Sequence, residues 1–262
     1  MNKQDTALIT GASGGIGLEL AKIHASKGGN LVLVARNLDK LESLKKELVD
    51  NYRVNVTVIQ EDLADPNSAQ RVFEKTNELG IVVDVLINNA GFGGHGRFHE
   101  RDLAADQSMM QVNMVTLTNL THLYLQGMVE RNYGRVLNVS STASFMPGPL
   151  QAVYYATKAY VTSFTQAIAE ELSEYNITAT VLCPGFVNTD FARASDLEGL
   201  DALKNAKSPE SVAQCGYDAM LSGDLLAFNE GGLKFMLNWI IPLLPRKAVL
   251  KMSRGIMEKR SA

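Results

Sequence analysis

The sequence predicts a doubly wound α/β fold: one parallel sheet of six to seven strands, in the order 3-2-1-4-5-6-7, with helices on both faces. Three observations point there. From Thr6 to about residue 190, short apolar runs alternate with stretches of helical periodicity. Runs such as Leu31 to Ala35 are unbroken, as strands covered on both faces are. The first strand-to-helix connection is rich in glycine, Gly11-Ala12-Ser13-Gly14-Gly15-Ile16-Gly17.

The composition suits such a fold. The chain has 262 residues, 46% hydrophobic and 20% charged, enough for one large α/β domain with a sizeable core. We therefore expect a single domain over 1–262, with a substrate-binding lid region at 190–232 and a C-terminal extension at 233–262. A net charge of −3 offers nothing to nucleic acid. The cysteines, Cys183 and Cys215, have no CxxC spacing, so reduced thiols in a cytoplasmic compartment are expected. The polar start, Met1 to Asp5, runs straight into a strand-like segment, and no leader peptide is expected.

Thr6 to Thr10 reads as the first strand and Leu18 to Lys27 as the first helix, ended by Gly28-Gly29. Leu31 to Ala35 is the second strand. Strand, glycine turn, helix and strand form a βαβ unit. Glycines let the backbone approach a diphosphate, and the helix N-terminus offers N–H groups and a positive dipole end. A tight turn without ligand would look similar, but three glycines at this spacing favour dinucleotide binding. Ala35, where an acid would meet a free ribose 2′-hydroxyl, is neutral, and Arg36 follows. A guanidinium there suits a 2′-phosphate, which favours NADP(H) over NAD(H). Arg36 as a merely solvated strand-end charge is the competing reading.

The spacing Thr-Gly-x-x-x-Gly-x-Gly resembles the short-chain dehydrogenase/reductase family, a Rossmann-type three-layer fold. The resemblance places the cofactor on Gly11, Ser13, Gly14, Gly15, Ile16 and Gly17. Leu38 to Tyr52 reads as an amphipathic helix and Val54 to Ile59 as the third strand. In the resembled family an aspartate after that strand meets the adenine. Asp62, followed by Leu63, fits that role and also that of a helix cap. A helix over 66–79 and a fourth strand, Ile81 to Ile87, come next. The strand ends in Asn88-Asn89-Ala90-Gly91, the family's second motif, which implies cofactor contacts at Asn89, Ala90 and Gly91. His95 and His99 are four apart, but lie in a glycine-rich loop without a third ligand at metal spacing, so no metal is expected.

A long helix is expected from about Asp102 to Glu130. Asn113 lies within it, and a buried amide needs a partner. The family assigns its helix asparagine to a water-mediated proton relay; a bond to the backbone is the alternative. Arg135 to Val139 is the fifth strand, followed by Ser140 and Ser141.

Val153 to Tyr175 reads as a helix after the turn-forming Phe145-Met146-Pro147-Gly148-Pro149. Tyr154 and Lys158, four apart, share a face of it, whereas Tyr155 is turned away. A lysine beside a phenol favours the phenolate, which would make Tyr154 an acid/base group near neutral pH. Alone, Tyr-x-x-x-Lys is a weak signal, and an ordinary helix start is the favoured reading. The family's catalytic serine stands thirteen residues before its tyrosine, which selects Ser141 and Tyr154. Resemblance thus implies Asn113, Ser141, Tyr154 and Lys158 as the catalytic set. It also implies subunit pairing through the helix bearing Val161, Phe164, Ile168 and Leu172, in a homodimer or homotetramer.

Ile177 to Leu182 is the sixth strand. It leads into Cys183-Pro184-Gly185-Phe186-Val187-Asn188-Thr189, which matches the family's Pro-Gly segment and implies cofactor contacts at Pro184, Gly185, Val187 and Thr189. Cys183 reads as a buried strand end. Phe191 to about Asn205 lacks periodicity, where the family places a lid. Ser208-Pro209-Glu210 opens another helix, and Leu225 to Phe228 is a possible seventh strand.

Residues 233–262 carry seven Lys/Arg and one acid, Glu258. Leu233 to Leu244 is apolar but too short to span a bilayer. Arg246 to Glu258 puts Val249, Met252 and Ile256 on one face and Lys247, Lys251 and Arg254 on the other. A flap over the pocket or an oligomer contact is favoured over peripheral membrane contact. Tyr-Tyr-Ala-Thr-Lys-Ala-Tyr and Asn-Ala-Gly-Phe-Gly resemble the bacterial DltE-like subgroup. The implied activity is hydride exchange between NADP(H) and a small, hydrophobic carbonyl compound or secondary alcohol. The alternative is a non-catalytic NADP(H)-binding sensor or scaffold.

Overall fold

The computed structural model describes residues 4–259; Met1–Lys3 and residues 260–262, which include Arg260 of the basic C-terminus, lie outside the described residues. Seven parallel strands form one sheet in the order β3-β2-β1-β4-β5-β6-β7. They are β1 (Thr6–Thr10), β2 (Asn30–Ala35), β3 (Val56–Gln60), β4 (Val85–Asn88), β5 (Gly134–Val139), β6 (Ile177–Leu182) and β7 (Leu226–Ala227). Successive strand residues serve opposite layers. Ala7, Ile9, Leu31 and Leu33 pack with one layer, and Leu8, Val32 and Val34 with the other.

The first layer holds α1 (Gly15–Ser26), α2 (Leu38–Tyr52) and α8 (Pro209–Ser222), whose Leu20, Leu44, Val212 and Tyr217 are buried. The second holds α3 (Ser68–Glu78), α4 (Leu103–Met110), α5 (Leu117–Arg131) and α6 (Ala152–Glu171), with Val72, Leu120, Tyr124 and Ile168 buried. The helices α7 (Phe191–Ala194), α9 (Gly231–Phe235) and α10 (Arg246–Met257) lie outside these layers. Local signals set the ends. Asn37 Oδ1 accepts the Lys40 amide at the start of α2, Ser208 Oγ accepts the Ser211 amide at the start of α8, and Gly223 closes α8 at φ 76°.

Several expectations shift. The long helix over 102–130 is interrupted by a π-helical segment, Gln111–Thr116. The fourth strand begins at Val85 rather than Ile81, because the Ile81 amide bonds back to Thr76 O and closes α3. The Tyr154 helix ends at Glu171 rather than at Tyr175. Its apolar residues Val161, Ile168 and Leu172 are buried within the chain itself. Of its large apolar side chains, Tyr160, stacked on Phe164 at 5.8 Å, is the one that is substantially exposed.

Candidate active site

Residues at the C-terminal ends of β1, β2, β4, β5 and β6 border one cleft of about 610 Å³. That is the edge of an open parallel sheet where ligands gather. At one end lies the glycine turn. Gly11 adopts φ 66°, and a Cβ there would come within 2.8 Å of Asn89 Nδ2 and 3.0 Å of Ala90 Cα. Gly17 leaves still less room: a Cβ would stand 2.4 Å from Gly11 O. Gly17 therefore does not line the cleft; it lets α1 press against the turn. Gly14 precedes α1 with open space around it, so the helix N-terminus is bare toward the cleft.

The turn is pinned from β4. Asn89 Nδ2 donates to Thr10 O and Gly11 O, and Thr10 Oγ1 accepts the amides of Asn89 and Ala90 at 3.0 Å. Beneath, Asn88 donates to Thr121 Oγ1 and Asn138 Oδ1, and Asn138 to Thr165 Oγ1. These buried amides brace β4 against β5 and both helices behind them.

Arg36, Asp62 and Leu63 line the cleft beside the turn. Asp62 Oδ1 accepts the Ala64 amide. It caps that turn and not the following helix, which starts only at Ser68. Lys40, in the first turn of α2, stands at the cleft with Arg36. Sequence reasoning passed over Lys40 and Thr10. The signals were a second cation four residues after Arg36, and a hydroxyl one residue before the glycines.

At the far end the phenol of Tyr154 is nearly buried and shares a hydrogen bond with Ser141. Ser141 Oγ also accepts the Ala143 amide at 3.1 Å. Ser140 acts as its neighbour: it donates to Lys158 O and pairs with Thr162. Lys158 Nζ donates to Val139 O at 2.8 Å and lies 5.9 Å from the centre of the Tyr154 ring. Tyr155 packs edge-on to Tyr154, against Gly148.

The electrostatics run against the expectation that Lys158 lowers Tyr154. Burial raises the Tyr154 pKa above its ordinary value, with the Ser141 hydrogen bond opposing the shift and Tyr155 adding to it. Burial also pushes the Lys158 ammonium down to about 8, against a smaller upward pull from Cys183. For both groups burial is the largest cause, and it disfavours the charged form of each.

Asn113 does not line the cleft. Its Oδ1 accepts the Phe92 amide, while Nδ2 donates to Phe92 O and Thr157 Oγ1. A Cβ at Gly91 would stand 3.0 Å from Asn113 Oδ1 and 3.4 Å from Lys158 Nζ, so both groups lie directly behind that glycine. The Pro-Gly segment closes the cleft from β6. Pro184 O accepts the Thr142 amide, and Thr189 sits against Gly15, its Cγ2 3.1 Å from where a Cβ would be. Val187 bridges to Lys207.

The remaining wall is apolar. Phe92, Phe186, Phe191, Leu197, Leu203 and Met257 line it, and the Phe191 ring lies 5.6 Å from that of Tyr154. The residues before Lys207 overhang the cleft, whereas α8 packs against the sheet. Met257 comes from α10, which is strapped down by Ser253 Oγ to Pro147 O, Lys259 to Asp196, and His95 Nε2 to Met257 O. Among the described residues no cluster of three or more metal-ligating side chains exists. Cys183 is a free, buried thiol at the end of β6, pushed up to about 12 by burial.

The glycine spaces, the bare helix end and the two cations fit a nicotinamide dinucleotide. Its phosphates would lie on the glycine turn, with the reactive ring toward Tyr154. Fold and site together define a dinucleotide-dependent oxidoreductase. The family model described as short chain dehydrogenase matches residues 5–198, and the chain belongs to the short-chain dehydrogenase/reductase family. The 3-oxoacyl-[acyl-carrier-protein] reductase of Aquifex aeolicus is 29% identical over 213 residues, 79% of this chain and 86% of that protein. A short-chain dehydrogenase from Sphingobium yanoikuyae, solved with NADPH, superposes with a TM-score of 0.82 at 28% identity, covering 98% of each chain. A family member from Burkholderia phymatum, solved with NAD, shares the fold at a TM-score of 0.83 and 22% identity over the whole of both chains.

Proposed function

We propose that this enzyme is an NADP(H)-dependent reductase of hydrophobic ketones, aldehydes or lipid-like carbonyl compounds, with Tyr154 as general acid/base. The observation that carries this reading is the Tyr154 phenol, hydrogen-bonded by Ser141 at the apolar end of the cleft that holds the glycine turn. The bound nicotinamide supplies or accepts the hydride. Ser141 hydrogen-bonds the substrate oxygen and fixes it beside the phenol. Tyr154, held protonated by burial, donates its proton to that oxygen as negative charge develops there. Lys158 below pH about 8 is an ammonium; it steadies the phenolate left behind and holds the ribose hydroxyls. Asn113 holds Phe92 and Thr157 close to Lys158, and its part in a relay toward solvent is inferred from the family.

Arg36 with Lys40 supports the 2′-phosphate, hence NADP(H). The apolar wall supports the substrate class, and the 3-oxoacyl relative reduces a compound of that kind by its name. Residues 190–207 act as the lid. The exposed Tyr160 surface would carry subunit pairing, and the free thiols suit a cytoplasmic setting. The tyrosine-rich and glycine-rich runs that suggested a DltE-like placement line the same cleft but carry no substrate information.

The test is a panel of ketones, aldehydes and secondary alcohols run with NADPH and NADH. NADPH consumption that rises with the apolar size of the carbonyl compound supports the reading. NADPH binding without turnover on any member would replace it with a cofactor-binding sensor, and faster turnover with NADH would overturn the role given to Arg36.

A further inference from the structure

The last part of the described chain is a hook of short helices. α9, a π-helical turn at Met236–Ile240 and a 3-10 turn at Ile241–Leu243 lead into α10. Leu237, Ile241 and Val249 are buried together, with Met236 and Met252 packed on them, so the two arms of the hook form one unit. The opposite side is bare. Phe235 is 61% exposed, Trp239 68% and Leu243 84%, with Ile240, Leu244 and Leu250 also substantially exposed. Large apolar side chains grouped in this way mark an interaction surface.

Its charge names the partner. Lys234, Arg246, Lys247, Lys251 and Arg254 are all exposed on the same hook. Val249, Ser253 and Met257 form the buried face of α10, so Lys247, Lys251 and Arg254 point to solvent. The acid among them, Glu258, is paired with Arg254 at 2.7 Å. Tryptophan and leucine amid lysines and arginines suit the headgroup region of an anionic bilayer. A second copy fits less well, because a symmetric contact would set Lys247 and Lys251 against their own kind. Among the described residues no helix is long and apolar enough to cross a membrane.

We infer that this hook docks the protein on the surface of an anionic lipid bilayer. Phe235, Trp239 and Leu243 enter the headgroup layer, and the α10 lysines and arginines lie along the lipid charges. The inner side of the same hook adjoins the catalytic cleft. Leu233 Cδ1 lies 3.3 Å from where a Cβ on Gly185 would stand, and Met257 of α10 lines the cleft wall. A lipid-like substrate would thus reach Tyr154 from the membrane side. That last step rests on the proposed function; docking itself does not.

The experiment is vesicle flotation of the full chain. It uses phosphatidylcholine vesicles alone and vesicles with one part phosphatidylglycerol to two of phosphatidylcholine, at low and high salt. Trp239 is the chain's single tryptophan, so its emission reports entry into the headgroups without a label. The protein is expected to float with the anionic vesicles, to lose most of this at high salt, and to show blue-shifted emission. The pair Lys247→Glu with Lys251→Glu should weaken binding by roughly tenfold or more. The pair Phe235→Ser with Leu243→Ser should abolish the blue shift. Both pairs should keep the wild-type melting temperature and turnover of a water-soluble ketone. Failure to float, flotation of both variant pairs equal to that of the wild type, or a smaller sedimenting particle for Phe235→Ser with Leu243→Ser without vesicles would overturn the inference. The last result would make the hook a contact between copies.

Discussion

At the glycine-turn end, the cleft wall is largely main chain. Gly11, Gly14, Gly15, Ala90 and Gly91 offer backbone, and Asn89 and Thr10 pin it from behind. At the Met257 end the wall is made of side chains carried on short, irregular segments, from the loop at Phe92 through α7 to the last turn of α10. The first end tolerates few residues because backbone must approach both ligand and backbone. At the second, any apolar side chain of the right volume serves. One end can therefore stay fixed while the other is refitted to a new substrate, and Tyr154 stands where the two meet.

Substitutions at each end test that division. The largest effect belongs to the junction. Tyr154→Phe should lower kcat by roughly 10²–10⁴-fold and leave the NADPH dissociation constant unchanged; comparable turnover would remove Tyr154 from the mechanism. At the main-chain end, Arg36→Ala with Lys40→Ala should weaken NADPH binding by roughly 10- to 100-fold and spare NADH, measured by fluorescence titration. Equal losses for both cofactors would show that the two cations do not read the 2′-phosphate.

Lys158 sharpens the comparison differently. Its folded pKa of about 8 lies below the ordinary lysine value. Between those two values the unfolded chain holds more protons, so stability rises with pH across that window, and the full cost of burying the charge is present below pH 8. Lys158→Met should therefore raise the melting temperature at pH 7 by a few degrees while turnover is lost. In the wild type, kcat/KM for ketone reduction should fall as pH rises through about 8, where the ammonium is lost. The smallest effect belongs to the side-chain end: Leu197→Ala should change KM for bulky against small ketones by roughly tenfold at most, with kcat and cofactor affinity intact.

The same division explains what the sequence disclosed. The strand order and the glycine turn were legible because main-chain geometry and helix periodicity impose spacing; Ser141, Tyr154 and Lys158, named through the family resemblance, lie together at one end of the cleft. Gly17 was grouped with the cofactor-lining glycines, yet it serves helix packing; spacing alone does not separate those uses. Lys40 was missed because its role depends on how α2 leaves β2. In the hook α10 was legible as an amphipathic helix with a basic face, but the arm at 231–243 resisted reading because its turns follow no single period, and exposure rather than composition decides what Trp239 and Leu243 do. The shifts at Tyr154 and Lys158 were hidden as well. A lysine four residues after a tyrosine is visible in a sequence, but the depth of burial that shifts both groups is not.

The π-helical segment at Gln111–Thr116 has a consequence for the chain as a reading frame. Asn113 grips Phe92 through both its amide N–H and its carbonyl, as a neighbouring strand's peptide group would. A side chain thus stands in for one residue of β-sheet, just past the end of β4. A π-turn holds one residue more than the α-helix around it would need. Deleting a single residue there would leave a regular helix but rotate Asn113 by about 100°. The loop that carries Gly91 and Phe92 would then lose its counterpart, although every cleft-lining residue outside that segment remained in the sequence.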